Sequence, residues 1–314
     1  MIDAFISYIR AERRFSDLTV RNYQHDIESF AAWFANRRGV ADEEVDLTEA
    51  TSDDIREWII HRIDKSHSGK RGEASNHKTV SAASMNRELS SLRSFYRYLR
   101  RQNLMERDIF SRISSLRTAR KLPTFVPETR MTTLLDNIRD KQEKRDFITQ
   151  RDALIITLFY SCGIRLAELC GIKIGDFSSD FSSLRILGKG EKMRVIPVLT
   201  EMGVRVREYI LLLQSCGIST HLSQPLIVQP NGQALSRSSI QRIVSREMRN
   251  ANVPGKKSPH VLRHTFATHL LNRNADMRDI QELMGHSSLK TTQCYTHNNI
   301  SQLQAIYAKA HPHK

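Results

Sequence analysis

Apolar residues recur through the first third of the chain at the spacing of helices. In "LTVRNYQHDIESFAAWF", Val20, Tyr23, Ile27, Phe30 and Phe34 stand at steps of 3, 4, 3 and 4. One face of a 3.6-residue turn collects them, so the stretch is predicted to be an amphipathic helix. "TSDDIREWIIHRI" opens with Thr51 and Asp54 spaced as a capping box and then turns apolar, which predicts a second helix. "SMNRELSSLRSFYRYLRRQN" resumes the helical step through Met85, Leu89, Leu92, Phe95 or Tyr96, and Leu99. Residues 66–79, "SHSGKRGEASNHKT", are polar and turn-rich and read as a loop. An all-helical domain is therefore expected over residues 1–112.

"SRISSLRTARKLPTFVPETR" follows, with Pro123, Pro127 and five basic residues. The reading places a linker at 113–125 and a second domain at 126–314. There the pattern changes twice. "RDALIITLFYSCGIRLAELCGI" predicts a helix, a break at Gly163 and another helix. "SSLRILGKGEKMRVIPV" has β-rich runs on either side of the turn "GKGE", the signature of a hairpin. From residue 200 the helical step returns, except in "PLIVQPNGQAL", which has room for a short extended segment. The tail "ISQLQAIYAKAHPHK" carries Ile300, Leu303, Ile306 and Tyr307 as one apolar stripe on a short helix. The expected fold class is mainly α, with an all-helical domain followed by an α+β domain holding a small antiparallel sheet.

The charge adds a partner to this picture. The chain of 314 residues has a formal net charge of +14. Residues 1–60 are net −6, residues 61–120 net +9, and the remainder net +11. A basic surface that begins near residue 61 favours a polyanion, most often nucleic acid. On the helix at 85–101, Arg93, Arg97, Arg100 and Arg101 fall at i, i+4, i+7 and i+8, a basic stripe opposite the apolar one. The stripe is either a DNA contact or a solvated face. The four cysteines form no CxxC pair, so neither a zinc ribbon nor a disulfide framework is indicated. No apolar run reaches the ~20 residues of a membrane span, and the N-terminus lacks the apolar core of a signal peptide. A cytoplasmic protein with no membrane partner is expected.

The chemistry is concentrated in a few short segments. In "HVLRHTFATHLL", His260 and Arg263 share a helix face, with His264 nearly on it. A metal pair, an anion site and ordinary satisfied histidines are all open readings of this segment. A metal is the weakest, because no acidic ligand is near and Arg263 repels a cation. "CGIRLAEL" sets Arg165 and Glu168 at a helix start, either an anion site or a surface ion pair. Lys189 stands between two glycines at the hairpin tip. His286 follows Gly285, a helix stop, and Tyr295 comes nine residues later.

The order of these residues, within "GIRLAEL", "GKGEKMRVIPV", "HVLRHTFATHLL" and "IQELMGHSSLKTTQCYTH", resembles the tyrosine recombinases of the phage integrase family, and the Xer branch above all. The resemblance spans residues 163–297, and the N-terminal helices resemble that family's core-binding, SAM-like domain, which clamps DNA. The loop at 66–79 is longer than is usual in Xer proteins. The resemblance implies a site-specific recombinase that cleaves and rejoins DNA through a 3′-phosphotyrosyl intermediate and a Holliday junction, without a metal, cofactor or ATP. It implies catalytic roles for Arg165, Lys189, His260, Arg263, His286 and Tyr295, with Tyr295 the nucleophile and Glu168 orienting a neighbour. His264 matches no catalytic position. The implied partners are a double-stranded recombination site and a homo- or hetero-tetramer, with a second Xer-type recombinase and a DNA translocase as further candidates. The implied role is resolution of chromosome or plasmid dimers at a dif-like site. The alternatives are a mobile-element integrase and a DNA-binding protein without strand transfer. A metal-dependent nuclease is disfavoured by the absence of a carboxylate cluster.

Overall fold

The structure, a computed structural model, describes residues 1–64, 80–118, 124–142, 146–188 and 192–285. The loop at 66–79, Lys189, His286, Tyr295 and the tail stripe at 300–307 lie outside the described residues. The chain divides into two compact units, Met1–Lys121 and Leu122–Lys314.

The first unit is helical: α1 (Ile2–Ala11), α2 (Asp17–Arg38), α3 (Ser52–Asp64) and α4 (Ala82–Arg101). Of the apolar positions on α2, Val20, Ile27, Phe30 and Phe34 are buried and Tyr23 is half-buried. The Ser16 hydroxyl accepts from the Thr19 N–H to start α2, and Gly39 ends it in the left-handed region. α3 starts on the expected box: Thr51 N–H donates to Asp54 Oδ2 at 2.9 Å, and Asp54 N–H to Thr51 Oγ1 at 3.3 Å. α4 buries both Phe95 and Tyr96, so its apolar face is wider than a single stripe. Carboxylates go inside as well, at Asp26, Asp54 and Glu88. Asp26 accepts from Arg87 Nη2 at 2.9 Å and from the Ser91 hydroxyl at 2.7 Å, which supplies the partners that a buried charge requires. Residues 113–116 pack onto this unit. Ile113 joins its core, and the Asn86 side chain donates to the Leu116 carbonyl at 2.9 Å and accepts its N–H at 2.8 Å.

The second unit comprises α5 (Glu128–Gln142), α6 (Phe147–Cys162), α7 (Leu166–Gly171), the strands β1 (Ser183–Leu187) and β2 (Met193–Pro197), then α8 (Thr200–Ser215), α9 (Arg237–Asn250), α10 (Pro259–Asn272) and α11 (Met277–Met284). α6 is apolar nearly all round, the pattern of a helix enclosed by others, and α5, α8, α9 and α10 pack about it. β1 and β2 form a two-stranded antiparallel hairpin with Leu187 opposite Met193 next to the turn. Around "PLIVQPNGQAL" the extended pairing is limited to single bridges, Lys173 with Pro225 and Val228 with Ala234.

α10 also receives the incoming chain. Val126 is fully buried; its N–H donates to Thr265 Oγ1 at 2.9 Å, and its carbonyl lies 2.9 Å from His269 Nε2. A carbonyl only accepts, so His269 carries a proton on Nε2, and its Nδ1 is hydrogen-bonded to the Tyr160 hydroxyl at 2.9 Å. No described helix is long and apolar enough to cross a membrane.

Candidate active site

α6 stops at Gly163, whose φ of 55° lies in the left-handed region, and the chain turns there to present Arg165 as the residue that caps α7. Glu168, one turn into α7, reaches back to accept the Arg165 N–H at 2.8 Å. Its other oxygen accepts from Arg165 Nη1, also at 2.8 Å. The i, i+3 pair read in the sequence is therefore real, and it is partly buried: the Arg165 side chain is 37% exposed and Glu168 only 5%.

A third residue, one that the sequence reading did not single out, completes the pairing. Arg194 on β2 directs Nη1 to Glu168 Oε1 at 2.9 Å and Nη2 to Oε2 at 2.8 Å, a fork-on-fork ion pair. The signal was present in "EKMRVIPV". Strand alternation turns Met193 outward and Arg194 inward, and an inward arginine requires a carboxylate. Burial pushes the Glu168 carboxyl up, but the bonds and charges of Arg194 and Arg165 outweigh that and hold it at about 2.

α10 begins with Pro259 at its first position, where the missing N–H costs nothing. His260 next to it is exposed, whereas Arg263 one turn later is buried. The shared face inferred from spacing thus slopes from solvent into the protein. His264 is half-buried beside it. Arg263 Nη1 donates to the Gly163 carbonyl and lies 3.9 Å from Glu168 Oε2; Nη2 donates to the Met284 carbonyl at 2.6 Å. Burial, followed by the nearby Arg165 charge, lowers the Arg263 pKa to about 10, so it remains a cation at neutral pH.

The three arginines meet again at the end of α11. Arg194 Nε donates to the Leu283 carbonyl at 3.3 Å, Arg263 to Met284, and Arg165 Nη2 to Gly285 at 3.3 Å. Three successive carbonyls at the negative end of a helix thus face three guanidiniums. Gly285 closes the helix at φ 64°, and a Cβ there would come within 3.0 Å of Arg194 Cδ. Of the six expected catalytic residues, the structure brings Arg165 and Arg263 together around Glu168, sets His260 at the exposed start of the same helix as Arg263, and leaves Lys189, His286 and Tyr295 outside the described residues. The described chain ends at Gly285, next to His286, and the hairpin strands end on either side of Lys189.

The comparisons decide the family. The phage integrase family model matches residues 124–302, and the model of the N-terminal SAM-like domain of phage integrases matches residues 2–103. The chain belongs to the phage integrase family. As a tyrosine recombinase, it is a phosphoryl-transfer enzyme acting in DNA recombination, and its curated relatives place it on the Xer branch. It is 36% identical over 314 residues to the tyrosine recombinase XerC of Thermodesulfovibrio yellowstonii, which covers 99% of this chain and 96% of that one. It is 34% identical over 311 residues to XerC of Methylobacterium nodulans, covering 98% and 91%. Its fold is similar to that of XerH site-specific recombinase bound to palindromic difH substrate, with a TM-score of 0.69 at 23% identity over 93% of this chain and 80% of that one. It is also similar to the lambda integrase tetramer bound to a Holliday junction, with a TM-score of 0.61 at 18% identity, covering 98% and 77%. The helical first unit and the mainly helical second unit with its small sheet agree with the expected fold class.

On the first unit of the recombinase, the basic stripe of α4 is less uniform than its spacing. Arg93 donates to the Ile113 carbonyl at 3.1 Å and lies over the Phe110 ring at 5.3 Å. Arg100 pairs with Asp108 at 2.8 Å, and Arg101 donates to the Tyr8 hydroxyl at 3.3 Å. Arg97 is exposed and, among the described residues, has no hydrogen-bond or ion-pair partner.

Proposed function

We propose that this recombinase cleaves and rejoins DNA through a 3′-phosphotyrosyl link at Tyr295, in a tetramer that passes through a Holliday junction. The convergence of Arg165 and Arg263 on Glu168 carries the reading: three guanidiniums against one carboxylate leave a net positive site beside the segment that leads to Tyr295. In this reading Tyr295 Oη attacks the phosphorus and loses its proton towards His260. Arg165 and Arg263 neutralise the nonbridging oxygens as charge builds on them. His286 adds a hydrogen bond to the phosphate. Lys189 gives a proton to the departing 5′-oxygen. The new phosphotyrosine bond replaces the one broken, so a 5′-hydroxyl from another strand reverses the step without ATP. Each unit contributes to DNA binding, with Arg97 on α4 as a phosphate contact.

The curated relatives are named XerC, which supports resolution of chromosome or plasmid dimers at a dif-like site, in the cytoplasm, with a second Xer-type recombinase and a DNA translocase as candidate partners. Recovery of DNA covalently attached to the protein in cells tests both levels of this reading. Wild type is expected to yield ends clustered at one chromosomal or plasmid inverted repeat, and Tyr295→Phe to yield none. An adduct that persists in the phenylalanine variant removes Tyr295 as nucleophile. Ends that map instead to the termini of a mobile element replace dimer resolution by an integrase role.

A further inference from the structure

Arg194 has no part in the mechanism above, yet it is 6% exposed and charged. It lies on β2, one strand of the hairpin that carries Lys189. The hairpin backbone on the other strand is close too: a Cβ on Gly188 would sit 3.6 Å from Arg194 Nη1 and 3.9 Å from Glu168 Oε1. Glu168 is faced by Arg165 from the start of α7, by Arg194 from β2 and by Arg263 from α10. These three groups are fixed cations, so Glu168 is the titrating member of the cluster. A lone carboxylate beside Arg165 would cancel that arginine's charge and draw its guanidinium away from an incoming anion.

We propose that Arg194 is a positioning residue for strand cleavage: by holding both oxygens of Glu168 it takes up carboxylate charge that Arg165 and Arg263 would otherwise bear alone, so the cluster keeps a positive surplus for the phosphate, and through the Leu283 carbonyl it fixes the end of α11 against the hairpin. This rests on the reading of Arg165 and Arg263 as phosphate ligands. The cluster carries three positive charges and one negative, a surplus of two. Removing Arg194 leaves a surplus of one, with the Glu168 charge now borne by Arg165 and Arg263 alone. Removing the Glu168 charge as well restores the surplus to two.

The test uses the full chain and a nicked suicide substrate that carries the site recovered from covalent complexes. The variants are Arg194→Met, Arg194→Lys, Glu168→Gln and the double variant Arg194→Met/Glu168→Gln. Arg194→Met is expected to slow covalent adduct formation at least ~10-fold, a modest share of what a misplaced phosphate donor costs. Half-site affinity should stay within about 2-fold, because the basic surface that sets it is intact. The Arg194→Met rate should rise towards acid as Glu168, released from Arg194, becomes protonated and loses the charge that opposes the phosphate. The double variant has no carboxylate to titrate, so this acid-side rise should vanish and the rate should recover several-fold over Arg194→Met. Arg194→Lys, which keeps the charge without the fork, should fall between wild type and Arg194→Met. If the methionine variant fails to fold, Arg194→Gln with and without Glu168→Gln makes the same comparison.

An Arg194→Met protein with the wild-type rate and pH profile overturns the inference. So does a double variant as slow as Arg194→Met at an equal melting temperature, because the arginine then serves packing alone. A wild type that forms no adduct on any recovered site sinks the strand-transfer reading itself and takes the role of Arg194 with it.

Discussion

Arg263 donates a hydrogen bond to the Gly163 carbonyl, and this bond ties α10 to the turn from which Arg165 emerges two residues later. The spacing between the two arginines therefore depends on a glycine that touches no substrate. Gly163 has no room for a side chain: φ is 55°, and a Cβ would collide with the Phe266 ring. Gly163→Ala is expected to cost about 2–4 kcal/mol, from overpacking and left-handed strain together. Cleavage should fall even where the variant remains folded. Denaturant midpoints and adduct yield on a suicide substrate read the two effects separately. An alanine protein as stable and active as wild type would mean that Phe266 yields freely.

Arg263→Lys should be a poor substitute. One ammonium cannot serve the Gly163 and Met284 carbonyls together and still meet a phosphate oxygen with a fork. Cleavage is expected to drop on the order of 10²-fold. A carbonyl left unpaired inside the protein adds about 1–3 kcal/mol of instability. Single-turnover cleavage and thermal melting check both, and full activity in the lysine variant would remove the forked contact from the mechanism.

Glu168 should make stability depend on pH. Its folded value of about 2 lies below the ordinary glutamate value of about 4.3, so the unfolded chain binds the proton more readily. The ion pairs contribute fully above the unfolded value and are lost as the pH falls towards the folded one. The shift corresponds to about 3 kcal/mol. The stability gap between wild type and Glu168→Gln should be constant above about pH 5 and shrink as acid is added below that. Urea midpoints across this range measure it. A gap that widens in acid would reverse the sign assigned to the cluster.

The periodic elements were readable because each depends on neighbours in the chain. The apolar step of α2, the Thr51–Asp54 box and the hairpin around "GKGE" are local patterns. The site was readable only in part. Spacing placed His260 and Arg263 on one face, but not the fact that the face runs inward. Arginine counts as polar in any hydrophobic pattern, so nothing local marks Arg263 as buried, and only the strand alternation of β2 points Arg194 inward. Their partners are carbonyls of residues 283 and 284 and a carboxylate on another element, distances that only the folded chain spans. Residues 113–116, flanked by Arg112 and Arg117, carry no local sign that Ile113 and Leu116 are held by the first unit.

On α4, the basic residues should separate by experiment. Arg97→Ala should weaken DNA binding and lower the slope of log affinity against log salt by about 1, the mark of one phosphate contact. Arg93→Ala should instead lower the melting temperature, because Arg93 serves the Ile113 carbonyl and the Phe110 ring. Gel shifts over a salt series, beside thermal melts, distinguish the two. A stable Arg93→Ala protein with a reduced salt slope would assign Arg93 to the DNA instead.

Val126 has both of its backbone polar groups claimed by side chains of a single helix, Thr265 and His269 of α10. Tension along residues 124–125 is therefore borne first by α10, through two hydrogen bonds acting side by side, before it reaches the hairpin or α6. That helix also carries Arg263 and His260. A tug on the incoming chain would thus be felt as torque on the two residues proposed to grip the phosphate and to take the tyrosine proton, with a backbone amide and an imidazole as the coupling.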